Sequence, residues 1–140
     1  AFFGGKPKRI TGMFNAPLGS KVDENAVSII EFENGIIGIA ETGFMSFDSP
    51  DEFEIYGTDG TLISSGNDVK VRSKMFARFT NDWIRPTLPP MGQIPLLQFV
   101  DACVNKTVSL ERCTIDDAID LTRLLENAYK ANRENSIVTL

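Results

Sequence analysis

The chain has 140 residues and a formal net charge of −5. Its apolar, charged, glycine and proline contents are those of an ordinary globular domain, which argues against disorder. An acidic chain has no general attraction for nucleic-acid phosphates or anionic lipid, and no apolar run approaches the ~20 residues that a membrane-spanning helix needs.

In chain order, Lys8 to Phe14 is extended in character and Pro17 to Asn25 is a polar loop. Val27 to Phe32 is rich in β-branched and aromatic residues, as a strand should be. Asn34-Gly35 supplies the turn of a tight hairpin, and Ile36 to Met45 is the return strand. After a loop, Phe53 and Ile55 alternate with Glu52, Glu54 and Tyr56, the pattern of a half-buried strand. Asp59-Gly60 marks a turn into a short strand, Thr61 to Ser64. Val69 and Val71 alternate with Lys70, Arg72 and Lys74 in another. Short turns between these strands predict mainly antiparallel pairing.

Phe76 to Gly92 has no clear period and reads as a long ordered excursion carrying Trp83 and Arg85. Pro95 suits the first turn of a helix, with Leu97, Val100 and Val104 on one face and Phe99 and Cys103 alongside. Thr114 is a good N-cap for a last helix, and Asp116 and Asp117 suit its positive end. Ile115, Ala118, Ile119, Leu121, Leu125 and Ala128 form its apolar stripe. Asn132 to Asn135 should stop it, before a final strand in Ser136 to Leu140.

Two basic clusters, Lys6/Lys8/Arg9 and Lys70/Arg72/Lys74/Arg78, alternate with apolar residues. They read as the wet faces of strands in preference to a phosphate site. Cys103 and Cys113 are too few for a metal knuckle and too far apart for a redox pair, and read as buried free thiols of a cytoplasmic protein. The sequon Asn105-Lys106-Thr107 reads as a chance match, since no secretory signal is visible. The chain has no histidine. That removes the Ser-His-Asp, Cys-His and HExxH chemistries and lowers the expectation of a complete active site.

The first hairpin is apolar on both faces. Val27 and Ile29 point one way and Ile30 and Phe32 the other, with Ile36, Ile37 and Ile39 repeating the pattern across the turn. Two helices cover one face of such a sheet, so the face of Val27, Ile29, Ile37 and Ile39 calls for another domain or subunit, the other reading being cover by the long excursion.

Three stretches, in this order, resemble the glucose–fructose oxidoreductase, inositol dehydrogenase and rhizopine-catabolism (Gfo/Idh/MocA) family. They are Ala26 to Gly35 with Ile36 to Ala40, then Glu52 to Leu62 with its Gly-Thr-Asp-Gly-Thr-Leu ending, and Pro95 to Cys103 followed by Thr114 to Ala118 and a long helix. The resemblance implies an α+β fold: an open, mainly antiparallel sheet with helices on one face, the dihydrodipicolinate-reductase-like C-terminal half of a two-domain oxidoreductase. On that reading residues 1–140 form a single C-terminal substrate and oligomerisation domain. The opening Ala1-Phe2-Phe3 then suggests a fragment that starts just after the catalytic helix.

The family's Gly-x-Gly-x-x-Gly turn, its Glu-Lys-Pro motif and its Asp-x-Gly-x-His motif have no match here. No catalytic or cofactor-binding residue, metal or cofactor is therefore expected in this chain. NAD or NADP would serve the longer protein, which by resemblance acts on a sugar, cyclitol or related polyol. Its partners would be that substrate, its own N-terminal domain and further copies of itself through the sheet, with no nucleic acid and no membrane. Phe47, Ser49, Trp83 and Arg85 roughly match positions that approach substrate in the family; the other reading is that Phe47 and Trp83 pin the excursion to the sheet and that Arg85 is solvated. The alternative is a non-catalytic binding or assembly module using the same sheet face.

Overall fold

The computed structural model describes residues 4–47, 51–76, 82–90, 92–106 and 114–140. Ser49, Arg78, Thr107 of the sequon, Cys113 and the first three residues lie outside them. Contacts divide the chain into two compact units, one made of residues up to Ser46 together with Gln93–Leu140, the other of Phe47–Gly92.

The first unit contains strands β1 (Pro7–Asn15), β2 (Asn25–Phe32) and β3 (Ile37–Gly43), helices α1 (Pro95–Asn105) and α2 (Ile115–Glu134), and the short strand β7 (Val138–Thr139). Its sheet runs β3-β2-β1-β7, antiparallel throughout. The hairpin after β2 differs from the tight form expected of Asn-Gly. Only Gly35 takes a left-handed φ (+86°), and the Phe32 amide donates to the Ile36 carbonyl at 2.9 Å. Glu33, Asn34 and Gly35 thus form a three-residue loop with glycine at the position that needs it.

Ile10 is the centre of this unit. It pairs with Ile30 on β2 and Val138 on β7, and is 1% exposed. Leu124, Ala128 and Ala131 of α2 pack over it, with Phe14 and Ile30 at the margin. The two alanines let the helix backbone approach the sheet closely. Phe14 and Tyr129 meet edge to face, centroids 5.0 Å apart. The Asn132 side-chain oxygen accepts from the Phe14 amide at 3.0 Å, fixing the far end of the helix to β1.

Thr114 caps α2 as the sequence indicates. Its hydroxyl accepts from the Asp117 amide at 3.2 Å, while the Asp117 carboxylate accepts from the Thr114 amide at 3.0 Å. Asn135 closes the helix in the left-handed conformation. The apolar stripe needs correction. The buried residues are Leu124, Ala128 and Ala131, whereas Ile115, Ile119, Leu121 and Leu125 are exposed. A stripe this broad wraps more than one face, and the sheet takes only the narrow side that small residues allow. Helix α1 buries none of its residues. Cys103 on it is exposed, not buried as expected, because no described residue covers it.

The second unit holds strands β4 (Glu52–Gly57), β5 (Gly60–Ser65) and β6 (Asp68–Ser73) in a separate antiparallel sheet, β4-β5-β6. From the excursion, Ile84 forms a bridge to Val71, with reciprocal amide bonds of 2.8 and 2.9 Å. The strand pattern therefore makes two sheets where a single open one was expected. Alternation within a strand carries no information about which distant strands share a sheet.

Candidate functional site

Two surfaces stand out, one in each unit. In the first, the face of the four-stranded sheet opposite α2 is apolar and uncovered. Register places Ile39 beside Ile29 and Ile29 beside Thr11, with Met13 beside Val27 and Ile37 beside Glu31 in the neighbouring rows. Val27, Ile29, Ile37 and Ile39 are 37%, 44%, 67% and 71% exposed. The expected two-sidedness of the hairpin is real: Phe32 and Ile30 turn to the core and these four to the outside. Glu31 sits at the edge of the patch, where Lys8 (2.9 Å) and Arg9 both reach its carboxylate. The hydrogen bonds from Lys8 and Arg9 hold the Glu31 carboxyl below its ordinary value.

In the second unit, one face of the three-stranded sheet borders a cavity of about 500 Å³. Tyr56, Thr61 and Arg72 form one cross-strand row, and Glu54, Ile63 and Lys70 the next. The hairpin turn Gly57 to Gly60 closes one end of the cavity, and Trp83 borders it from the excursion. The Ile84 bridge accounts for that placement. Residues on either side of a bridged position point together, so Trp83 and Arg85 share a side with Arg72 and Lys70. The Lys70 ammonium lies 5.4 Å from the Trp83 ring centroid. Gly60 sits where no other residue fits, since an added Cβ would come within 2.5 Å of the Arg72 carbonyl oxygen. That contact brings the turn tight against β6.

The residues singled out from sequence fall unequally around this cavity. Trp83 lines it. Arg85 is held in a two-pronged pair with Asp68, at 2.7 and 3.1 Å. The hydrogen bond from Arg85 keeps the Asp68 carboxyl below its ordinary range. Phe47 is fully exposed. The sequence by itself does not mark Tyr56, Thr61 and Arg72 as site residues. Their signal was present in the alternation of β4 and β6, but Trp83 reaches them only through a bridge with no local signature.

The described residues do not fit a dinucleotide. A pyrophosphate needs a glycine-rich turn opening a helix, with free amides at its N-terminus. Helix α1 opens with proline, and the Leu97 and Gln98 amides already donate to the Ile94 carbonyl. Helix α2 opens with two aspartates, which repel phosphate. The Gly57–Gly60 turn joins two strands. Among the described residues no group of three or more His, Cys, Asp or Glu could hold a metal, and no helix is long and apolar enough to cross a membrane.

Comparison with known proteins agrees with this architecture. An NAD-binding protein from Listeria innocua superposes with a TM-score of 0.73 at 22% identity, over 96% of this chain and 42% of that one. An oxidoreductase domain protein from Kribbella flavida gives 0.77 at 15%, over 97% and 45%. Levoglucosan dehydrogenase, in complex with NADH and levoglucosan, gives 0.71 at 15%, over 96% and 45%. The chain thus has the fold of a portion of these proteins, spanning less than half their length. No curated protein matches the sequence. The model of the GFO/IDH/MocA C-terminal domain matches residues 1–63. The match takes in less than half of the chain and includes the hairpin and the Gly-Thr-Asp-Gly-Thr-Leu motif that carry the resemblance.

Proposed function

We propose that residues 1–140 form the substrate-binding and oligomerisation domain of a cytoplasmic NAD(P)-dependent oxidoreductase that acts on a sugar, cyclitol or related polyol. The observation that carries this reading is the superposition of nearly the whole chain on part of a levoglucosan dehydrogenase. On this reading the cofactor and the catalytic groups belong to a separate domain. That division agrees with the poor fit of both helix N-termini to a pyrophosphate. Phe47, Ser49, Trp83 and Arg85 contribute a wall of the substrate site: aromatic faces pack on sugar C–H surfaces, and Arg85 offers hydroxyls the N–H groups that Asp68 does not take. When bound, the nicotinamide supplies the hydride chemistry, and this domain orients the substrate.

Calorimetry of the 140-residue chain with NAD and NADP is expected to show no binding, whereas the longer protein should reduce one of them with a polyol. Micromolar binding of either cofactor to the chain alone would overturn the division of labour.

The uncovered face of Val27, Ile29, Ile37 and Ile39 is the oligomer surface in this reading. A row of apolar residues on a two-sided hairpin suits an isologous contact with a second copy. Light scattering should find the chain self-associated, and the pair Ile29→Lys with Ile39→Lys should return it to monomer with unchanged circular dichroism. A native chain that is already monomeric at high concentration contradicts this assignment. Self-association together with an inactive longer protein would favour a non-catalytic assembly module.

A further inference from the structure

We propose that the cavity on the three-stranded sheet is a binding site for an anionic sugar, a pyranose carrying a carboxylate or phosphate, formed by this chain alone. The site shares Trp83 with the proposed substrate wall and goes beyond that reading, because it needs neither a cofactor nor a second domain.

The first argument is the state of Arg72. Its neighbours are engaged: Lys74 contacts Asp59 at 3.4 Å, Arg85 is paired with Asp68, and Lys70 lies over the Trp83 ring. Arg72 borders the cavity, and its side chain makes no ion pair or hydrogen bond among the described residues. A guanidinium with a vacant fork is suited to a planar or tetrahedral oxyanion.

The second argument is the rest of the lining. Tyr56, across the sheet from Arg72 through Thr61, keeps its ring exposed while its hydroxyl donates to the Glu54 carboxylate at 2.6 Å. That hydrogen bond fixes the ring's orientation and raises the Tyr56 phenol above its ordinary value, so it stays neutral. Trp83 is 38% exposed even with Lys70 over it. Two aromatic walls provide surface for the C–H edges of a sugar ring, and Thr61 stands between Tyr56 and Arg72 in the same row. A volume of about 500 Å³ is within the range of small-molecule sites.

The third argument is selectivity. The whole chain carries a net charge of −5 and repels polyanions. Lys70 and Arg72 share one face of β6, which suits a small ligand with one anionic group and a ring.

Trp83 is the only tryptophan of the chain, so its fluorescence reports on this cavity directly. Titrations of the full chain would use D-glucuronate, glucose 6-phosphate, glucose and inorganic phosphate, without cofactor. At least one anionic sugar should shift Trp83 emission saturably and bind ~10-fold or more tightly than glucose or inorganic phosphate. Preference for glucuronate assigns a carboxylate ligand, and preference for the phosphate ester assigns a phosphorylated one. Arg72→Gln should abolish that advantage over glucose, and Arg72→Lys should restore part of it, both with unchanged thermal melts. Calorimetry on Trp83→Leu should show the affinity lost as well. Equal binding of glucose, inorganic phosphate as good as the sugar phosphate, no binding of any probe, or full affinity in Arg72→Gln would each overturn the proposal.

Discussion

Replacing Ile10 by alanine should destabilise the first unit by ~2–5 kcal/mol, the range for emptying a fully buried aliphatic site. Ile10 is 1% exposed and sits between Ile30 and Val138 in the sheet, beneath Leu124, Ala128 and Ala131. The two alanines cannot extend into the space left behind, and a neighbouring leucine would have to leave its rotamer to do so. Collapse is therefore limited and the cavity cost should be retained. A domain of ordinary stability has only ~5–15 kcal/mol in total, so the variant should be close to unfolding. Ile10→Val should cost ~0.5–1.5 kcal/mol. Ile137→Ala, just before β7 and 60% exposed, should stay within ~0.5 kcal/mol. Urea denaturation followed by circular dichroism checks this through the midpoint at constant slope. Equal midpoints for Ile10→Ala and Ile137→Ala would show that the core lies elsewhere.

The contrast between Ile10 and the hairpin isoleucines shows what the sequence makes legible. Strand positions, antiparallel pairing, the glycine turns and the Thr114 cap follow from period, turn chemistry and hydrogen-bond demand, and all are local. The two-sided hairpin is legible for the same reason. Which side the helix takes is not: Leu124 and Ala131 lie beyond the stripe that periodicity picks out, because closeness of approach, and not hydropathy alone, selected the packed side. The division into two sheets depends on pairings across long separations. So does the cavity. Lys70, Arg72 and Lys74 do form the wet face of a strand, as their alternation indicates. The Val71–Ile84 bridge adds Trp83 to that face and gives it the shape of a site.

Glu24 was wholly hidden, since a carboxylate in a polar loop reads as solvated, yet it is 2% exposed. Its carboxylate accepts from the Leu18 amide at 2.6 Å and the Ser20 amide at 3.1 Å, which folds the loop between β1 and β2 around it. Its backbone joins both neighbouring strands, the amide donating to Asn15 and the carbonyl accepting from Phe44. Burial by itself pushes the Glu24 carboxyl up; the hydrogen bonds from Leu18 and Ser20 outweigh it and hold the group below its ordinary value of 4.5. The charged form is thus favoured by folding. Its contribution to stability is complete above about pH 4.5, the unfolded value, and is lost as pH falls through the lower folded value. Glu24→Gln keeps the shape but removes the charge that the amides solvate. It should lower the melting temperature by several degrees at neutral pH, and Glu24→Ala, which leaves the Leu18 and Ser20 amides unpaired, by more. The gap between wild type and Glu24→Gln should stay constant from pH 7 down to about 5 and close as acid protonates the native carboxylate. Taking the difference cancels the other depressed acids, Glu31, Asp68 and Asp117, which both proteins share. Thermal melts across this range check the prediction. A gap that persists unchanged at low pH would mean that the glutamine fails by misfit and that the buried charge contributes nothing.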